Sequence, residues 1–290
     1  MSVTTSTGKG VPFRIRKYAR DDAEMSASEG KSARINFNAV VQRILPVVPP
    51  LALGLFFLIS WYVSTAFGQV NSLVLPAPGD VLTSLSDGLS SGLFLSNALV
   101  TIQESLLGFL LALIVALPLG YVLAKSRFIA TAVHPYLAAG QAIPAIVIAP
   151  LLVLWLGPGL LPIMIVCMLV VFFPMVITII LGVQTIDESL TDAARVEGAS
   201  GWSLIALIEF PLALPAILAA IRTGLTLSIT GALVGEFVSG GDLGLGALVQ
   251  IAKTQYNTPF MFATLVVLGG LAAFYYGISW ILAKLAEAVY

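Results

Sequence analysis

Apolar residues in this chain fall into long blocks separated by polar punctuation, not into the short alternation of half-buried strands. A helix crossing a hydrocarbon core about 30 Å thick needs about 20 mostly apolar residues at about 1.5 Å each. Residues 47–67 form the first block of that length, and 99–123 the second. After Lys125-Ser126-Arg127 no Lys, Arg, Asp or Glu occurs until Asp187, a run too long for one helix. Gly157-Pro158-Gly159 divides it into spans over 129–156 and 161–182. A polar island at 183–215 precedes a fifth span over 216–237, and a glycine-rich linker at 239–246 precedes a sixth over 259–285. The polar stretch 71–97 carries Leu75-Pro76-Ala77-Pro78-Gly79-Asp80 and a pattern for a short interfacial helix over 81–89. The pattern predicts an all-α membrane protein with six spans and both termini on one side.

Composition strengthens that reading. Of the 290 residues, 58% are hydrophobic and 10% charged, against about a quarter charged in soluble domains. The single cysteine, Cys167, excludes an intrachain disulfide, and the lone His134 leaves no histidine metal cluster. Eight of the 14 basic residues precede Pro46. Residues 1–43 therefore form a polar, mobile tail, and 44–290 the transmembrane domain. The tail's Gly30-Lys31-Ser32 is no phosphate loop, since Met25 stands where the first glycine belongs and no strand precedes it. Its cluster Arg14, Arg16, Lys17 and Arg20 fits either anionic headgroups or a retained cytoplasmic flank.

Basic residues near span ends set orientation. With the tail inside, Lys125, Arg127, Arg195 and Lys284 share its side and Arg222 lies near the inner end of span five, leaving Lys253 outside. Both termini and the island are then cytoplasmic. Within the island, Ser189 and Asp192 fit a helix N-cap with a reciprocal acid, and Gly198 is placed to end that helix. Ser200 fits the cap of a second helix that Pro211 prevents from running on. Ala193 and Ala194 leave a helix surface without bulk, over which another protein's groove can close. An ordinary capped cytoplasmic loop has the same local features.

The spacing goes further. Asp192-Ala193-Ala194, Gly198 and Ile208-Glu209-Phe210-Pro211 resemble the E-A-A-x(3)-G-x(9)-I-x-L-P loop of ABC importer permeases, with Asp192 in place of Glu and Phe210 in place of Leu. Other strings extend the resemblance over most of 47–285: Leu75-Pro76-Ala77-Pro78, Gln141-Ala142-Ile143-Pro144, Leu154-Trp155-Leu156-Gly157, Phe172-Phe173-Pro174, Leu214-Pro215-Ala216-Ile217 and Gly235-Glu236-Phe237. They look like the nitrate, sulfonate, taurine and hydroxymethylpyrimidine branch. The resemblance implies a type I (MetI-like) permease fold in a bacterial inner membrane, with Asp192, Ala193, Ala194, Gly198, Ile208 and Pro211 engaging an ATPase. It implies two permease copies, expected as a homodimer, two ATP-binding subunits and an extracytoplasmic solute-binding protein. No cofactor is expected in this chain, ATP and Mg belonging to the ATPase, and the chain is expected not to be an enzyme. The cargo stays open among small organic anions, sulfonates, nitrate and vitamin precursors such as pyrimidines.

Polar residues inside the spans are the pathway candidates. Thr223, Thr226 and Thr230 share a helical face that suits a passage or hydroxyls bonded back to the helix, whereas Gly224, Ser228, Gly231 and Gly235 form a second face suited to close packing. Gln141 and Gln103 suit either a pathway or an interhelical hydrogen bond. Glu104 is expected near the outer interface, where its charge costs little, and Glu236 at an external gate or docking surface. An ion-coupled secondary transporter is the alternative, but it more often shows mid-span charges. Gly241-Asp242-Leu243-Gly244-Leu245-Gly246 lacks dinucleotide spacing and suits an external turn or short re-entrant segment.

Overall fold

The structure, a computed structural model, describes residues 48–289 except 69, 240 and 242. The tail at 1–43 lies outside them. The chain divides into a unit ending at Trp61 and a unit from Tyr62 to Tyr290. Most of α1 (Val48–Ala66) belongs to the first, with Pro49 and Pro50 in its opening turn, where missing N–H groups cost nothing.

The second unit contains α2 (Pro78–Ser90), α3 (Leu93–Ala124), α4 (Arg127–Ala142), α5 (Ala145–Leu156) and α6 (Leu160–Gln184). There follow α7 (Glu188–Val196), α8 (Gly201–Leu204), a π turn at Ile205–Glu209, α9 (Phe210–Ser239), α10 (Leu245–Thr254) and α11 (Thr258–Val289). Among the described residues every regular element is helical. Among the described residues five helices are long and apolar enough to cross a membrane: Val48–Ala66, Leu93–Ala124, Leu160–Gln184, Gly201–Ser239 and Thr258–Ile281.

Small residues at crossing points hold the centre of this unit. A Cβ on Gly231 of α9 would lie 2.6 Å from Cys167 Cα, and one on Gly108 of α3 would lie 2.5 Å from Cys167 Sγ. The backbones of α3 and α9 thus close on α6 from two sides, with Cys167 between them, and gain the van der Waals contact that drives helix association in lipid. Gly224, Ser228, Gly231 and Gly235 are all buried, as the packing face requires.

The contacts also fix direction. Gly108 and Gly120 of α3 face Cys167 and Ile179 of α6 in the same order, so the two helices run parallel. Gly235, Gly231 and Gly224 of α9 face Ile163, Cys167 and Met175, the opposite order. Between the parallel α3 and α6 the chain must return, and α4 with α5 makes that return. The span expected over 129–156 is a pair of helices bent by 82° at residues 143–144. Its cause is Pro144: Ile143 is held at ψ 120°, and the proline ring forbids continuing the helix through the junction. With this pair counted as one crossing, the number of candidate spans is six.

Three further boundaries differ from expectation. The helix of span five begins far ahead of 216, since Pro211 does not stop it. The π turn explains why: Phe210 N–H bonds to Ile205 O, and this wider turn relaxes the contact between the Pro211 ring and the carbonyls of the preceding turn. The glycine-rich linker passes into the ten-residue α10, whose first residues are buried. The predicted helix at 81–89 starts earlier, with Pro78 in its first turn.

Candidate functional site

At the end of the unit where α6 stops and α9 starts, α7 projects as a short amphipathic helix. Its N-cap is Asp187, not the expected Ser189: the Asp187 carboxylate accepts the Ser189 N–H at 2.9 Å. That bond holds the Asp187 carboxyl below its usual pKa. Asp192 instead pairs with Arg195 at 2.9 Å on the exposed side. At the other end Gly198 N–H bonds to Arg195 O at 3.0 Å and Ala199 N–H to Ala194 O at 2.9 Å, the paired bonds of a Schellman cap. Gly198 adopts φ +98°, open to glycine and strained for other residues. Ser200 N–H donates to Ser203 Oγ at 3.1 Å, which opens α8.

Of the two alanines, Ala193 is exposed and Ala194 is buried against the chain itself, which corrects the expectation that both offer a free surface. The apolar surface lies nearby in larger residues: Val196 is 90% exposed and Trp202 78%. Ile208 and Pro211, both half-buried, sit in and just after the π turn.

Glu209 in the same π turn is 3% exposed, and its two carboxylate oxygens accept the Tyr121 hydroxyl and the Lys125 ammonium of α3. This ties the start of α9 to the end of α3. Beside it, a cavity of about 360 Å³ is lined by Lys125, Arg127, Thr191, Asp192, Arg195 and Glu209. Arg127 and Glu188 close its rim with an exposed ion pair at 3.0 Å. Sequence reasoning passed over Glu209. The available signal was a carboxylate at a span's edge with Lys125 at the same edge of another span.

The opposite end of the unit holds the second polar cluster. Glu236 is 2% exposed and Glu104 5%, and Glu104 lies one helical turn from Thr101, which bonds to Glu236, so the two carboxyls are neighbours. Burial within the protein makes a charge on Glu104 costly, which corrects the expectation that it costs little. Glu236 Oε1 accepts the Thr101 hydroxyl at 2.6 Å, and Oε2 accepts the Gly246 N–H. Thr101 Oγ1 in turn accepts the Leu245 N–H at 2.9 Å, and Asn97 Oδ1 the Gly244 N–H at 2.8 Å. Side chains of α3 and α9 therefore hold the first turn of α10.

The remaining pathway candidates lie on exposed surfaces. Pro215, Ala219, Thr223, Thr226 and Thr230 form one exposed stripe of α9 at helical spacing. Thr226 donates to Arg222 O at 3.1 Å, the back-bonding that the sequence allowed. Gln141 is exposed at the α4–α5 bend and borders a cavity of about 270 Å³ with Pro144, Phe173 and Leu227. Leu227 places that cavity against α9, one turn from Thr223 and Thr230.

Residues 108–288 match the family described as binding-protein-dependent transport system inner membrane component. Over 256 residues the chain is 40% identical to the riboflavin transport system permease protein RibX of Chloroflexus aurantiacus, covering 84% of this chain and 95% of that protein. It is 28% identical to the formylaminopyrimidine transport permease protein ThiX of Halalkalibacterium halodurans, over 79% of this chain and 90% of the relative. The putative aliphatic sulfonates transport permease protein SsuC of Bacillus subtilis is also 28% identical, over 71% and 75%. Among solved structures, an amino acid ABC transporter crystallised with histidines aligns with a TM-score of 0.53 at 19% identity, over 71% of this chain and 96% of the other. That likeness concerns the fold.

Proposed function

The chain belongs to the family of binding-protein-dependent transport system inner membrane components, the permeases of ABC transporters, and we propose that it serves a type I importer for a heteroaromatic vitamin or vitamin precursor. In this reading both termini and α7 face the cytoplasm, which the basic residues at Lys125, Arg127 and Arg195 favour. A homodimer of this chain takes two ATP-binding subunits at its cytoplasmic face and a solute-binding protein at the other. ATP and Mg belong to the ATP-binding subunits.

The observation that carries the coupling role is mechanical. The segment Asp192–Pro211 is not a loop that merely links two spans: α8, the π turn and α9 form one continuous helical path, and Glu209 joins that path to α3. A partner that grips Ala193, Val196 and Trp202 therefore holds a handle on α9 directly and on α3 through Glu209. Closure of the ATPase pair moves the handle and shifts the spans between two arrangements. Asp192, Ala193, Gly198, Ile208 and Pro211 act in that handle, Ala194 seating it on its own chain. Gln141, Thr223, Thr226 and Thr230 border the passage, with two copies of the α9 stripe facing each other across it.

The cargo class rests on relatedness. The 40% identity to a riboflavin permease over most of both chains exceeds the 28% to a sulfonate permease. The test is uptake by proteoliposomes that contain this chain, its ATPase and its solute-binding protein, offered riboflavin, a formylaminopyrimidine and an alkanesulfonate. ATP-dependent accumulation of a heteroaromatic compound supports the cargo assignment; accumulation of the sulfonate alone refutes it.

A further inference from the structure

Two neighbouring buried carboxyls need a reason to stay together. Glu104 and Glu236 come from different helices, and among the described residues neither forms an ion pair with a basic side chain. Among the described residues, the titratable groups on the other helices packed around them are the Cys167 thiol of α6 and, behind Ser105, the Tyr275 hydroxyl of α11, whose oxygen lies 2.7 Å from Ser105 Oγ. Neither supplies positive charge. From α10, Glu236 meets the Gly246 N–H at the helix N-terminus, which favours one negative charge.

Hydrogen bonding assigns that charge. Both oxygens of Glu236 accept, one from Thr101 and one from Gly246, which suits a carboxylate. Glu104 receives no such donors, and its Oε2 is buried without a partner. Two neighbouring buried carboxylates repel each other, have no donor between them and meet no cation among the described residues, which favours one proton on the pair. Backbone geometry shows that the arrangement is built into the chain. A Cβ on Gly244 would lie 2.6 Å from Glu236 Oε1, and a Cβ on Gly246 would lie 2.6 Å from Oε2. The glycines of this linker let α10 come close enough to be held by the carboxylate. A cavity of about 330 Å³ lined by Gln103, Glu104, Gly159, Ser239 and Leu243 borders the site on the Glu104 side.

We propose that Glu104 and Glu236 form a proton-binding site in which Glu104 carries one proton and donates it to an ionised Glu236, and that this proton keeps α10 latched to α3 and α9. Loss of the proton to water in the cavity leaves two adjacent carboxylates, whose repulsion breaks the seat of α10. The site does not depend on which cargo the permease carries.

The decisive experiment pairs infrared spectroscopy with hydrogen exchange on the full chain in lipid. At neutral pH the wild-type minus Glu104→Gln difference spectrum is expected to show the C=O stretch of a protonated carboxyl. The amides of Leu245 and Gly246 are expected to exchange equally slowly in both proteins. As pH is raised, the wild-type band bleaches and the two amides lose at least tenfold protection after correction for intrinsic rates. In Glu104→Gln they keep it, because the amide is a neutral donor that cannot lose its proton. Absence of the band at neutral pH, or equal pH dependence of α10 protection in wild type and Glu104→Gln, overturns the proposal. Glu236→Gln, if it folds, retains a protonated-carboxyl band and loses α10 protection at every pH.

Discussion

Gly198 offers a perturbation whose size follows from the backbone. Its φ of +98° lies in the left-handed half of conformational space, and a Cβ built there meets no atom within 4 Å. The cost of an L side chain is therefore backbone strain without collision, about 1–2 kcal/mol. Each 1.4 kcal/mol or so is a factor of ten in an equilibrium, so Gly198→Ala should raise the opened population of the α7 cap by roughly 5–30-fold. Hydrogen exchange at the amides of residues 198 and 199, which close the Schellman cap, reads this in the permease without its ATPase. Because the space is open, Gly198→Leu should exchange within about twofold of Gly198→Ala, and Gly198→Asn should fall between these and wild type. In the complete transporter, cargo moved per ATP hydrolysed should fall in the same order, with the spans still folded. Exchange in Gly198→Ala indistinguishable from wild type would refute the strain argument. A far larger effect of Leu than of Ala in the isolated permease would show a contact absent from this structure.

Three further sets of substitutions test other parts of the structure. Gly231→Leu drives a side chain into the Cys167 backbone and should destabilise the α6–α9 packing by about 1–3 kcal/mol, lowering the melting temperature in detergent, while Gly79→Leu, with nothing within 4 Å, leaves it unchanged. Trp202→Ala and Val196→Asp remove exposed apolar contacts and should weaken ATPase binding at least tenfold in a pull-down titration, with unchanged melting temperature; unchanged affinity would place the docking surface elsewhere. Glu209→Gln leaves Lys125 without its carboxylate and should cost about 1–2 kcal/mol, less than the roughly 3–5 of fully buried pairs because Lys125 is partly exposed. Adding Lys125→Met should recover part of that loss, whereas strictly additive effects in thermal denaturation would deny the pairing.

The legible parts of this protein were those written in local pattern. Four of the six apolar blocks lie within single helices, a fifth is broken at 143–144 and the first overlaps α1, and the glycine face of α9 packs as its 3.6-residue spacing requires. Gly198 ends α7 as a Cβ-free residue must. What escaped depends on neighbours distant in sequence. Pro211 reads as a helix stop in isolation, yet a π turn upstream accommodates it. Pro144 was visible inside an apolar run, but the 82° bend emerges only once Ile143 is forced into an extended conformation. Asn97 and Thr101 look like ordinary span-edge polar residues until α10, nearly 150 positions later, brings backbone N–H groups to them. Glu104 and Glu236 stand out in sequence as ionisable residues in the spans, but that they are neighbours depends on α3 and α9 meeting beside α6, which no linear pattern encodes.

The central claim is that this chain moves solute when a separate ATPase drives the α7 handle. It is tested most directly in proteoliposomes containing the permease, ATP-binding subunit and solute-binding protein, loaded with ATP or a non-hydrolysable analogue, with and without an imposed proton or sodium gradient. Uptake is expected to require hydrolysable ATP and both partners and to proceed without a gradient. Accumulation by the permease alone, driven by the ion gradient and indifferent to ATP, would contradict it.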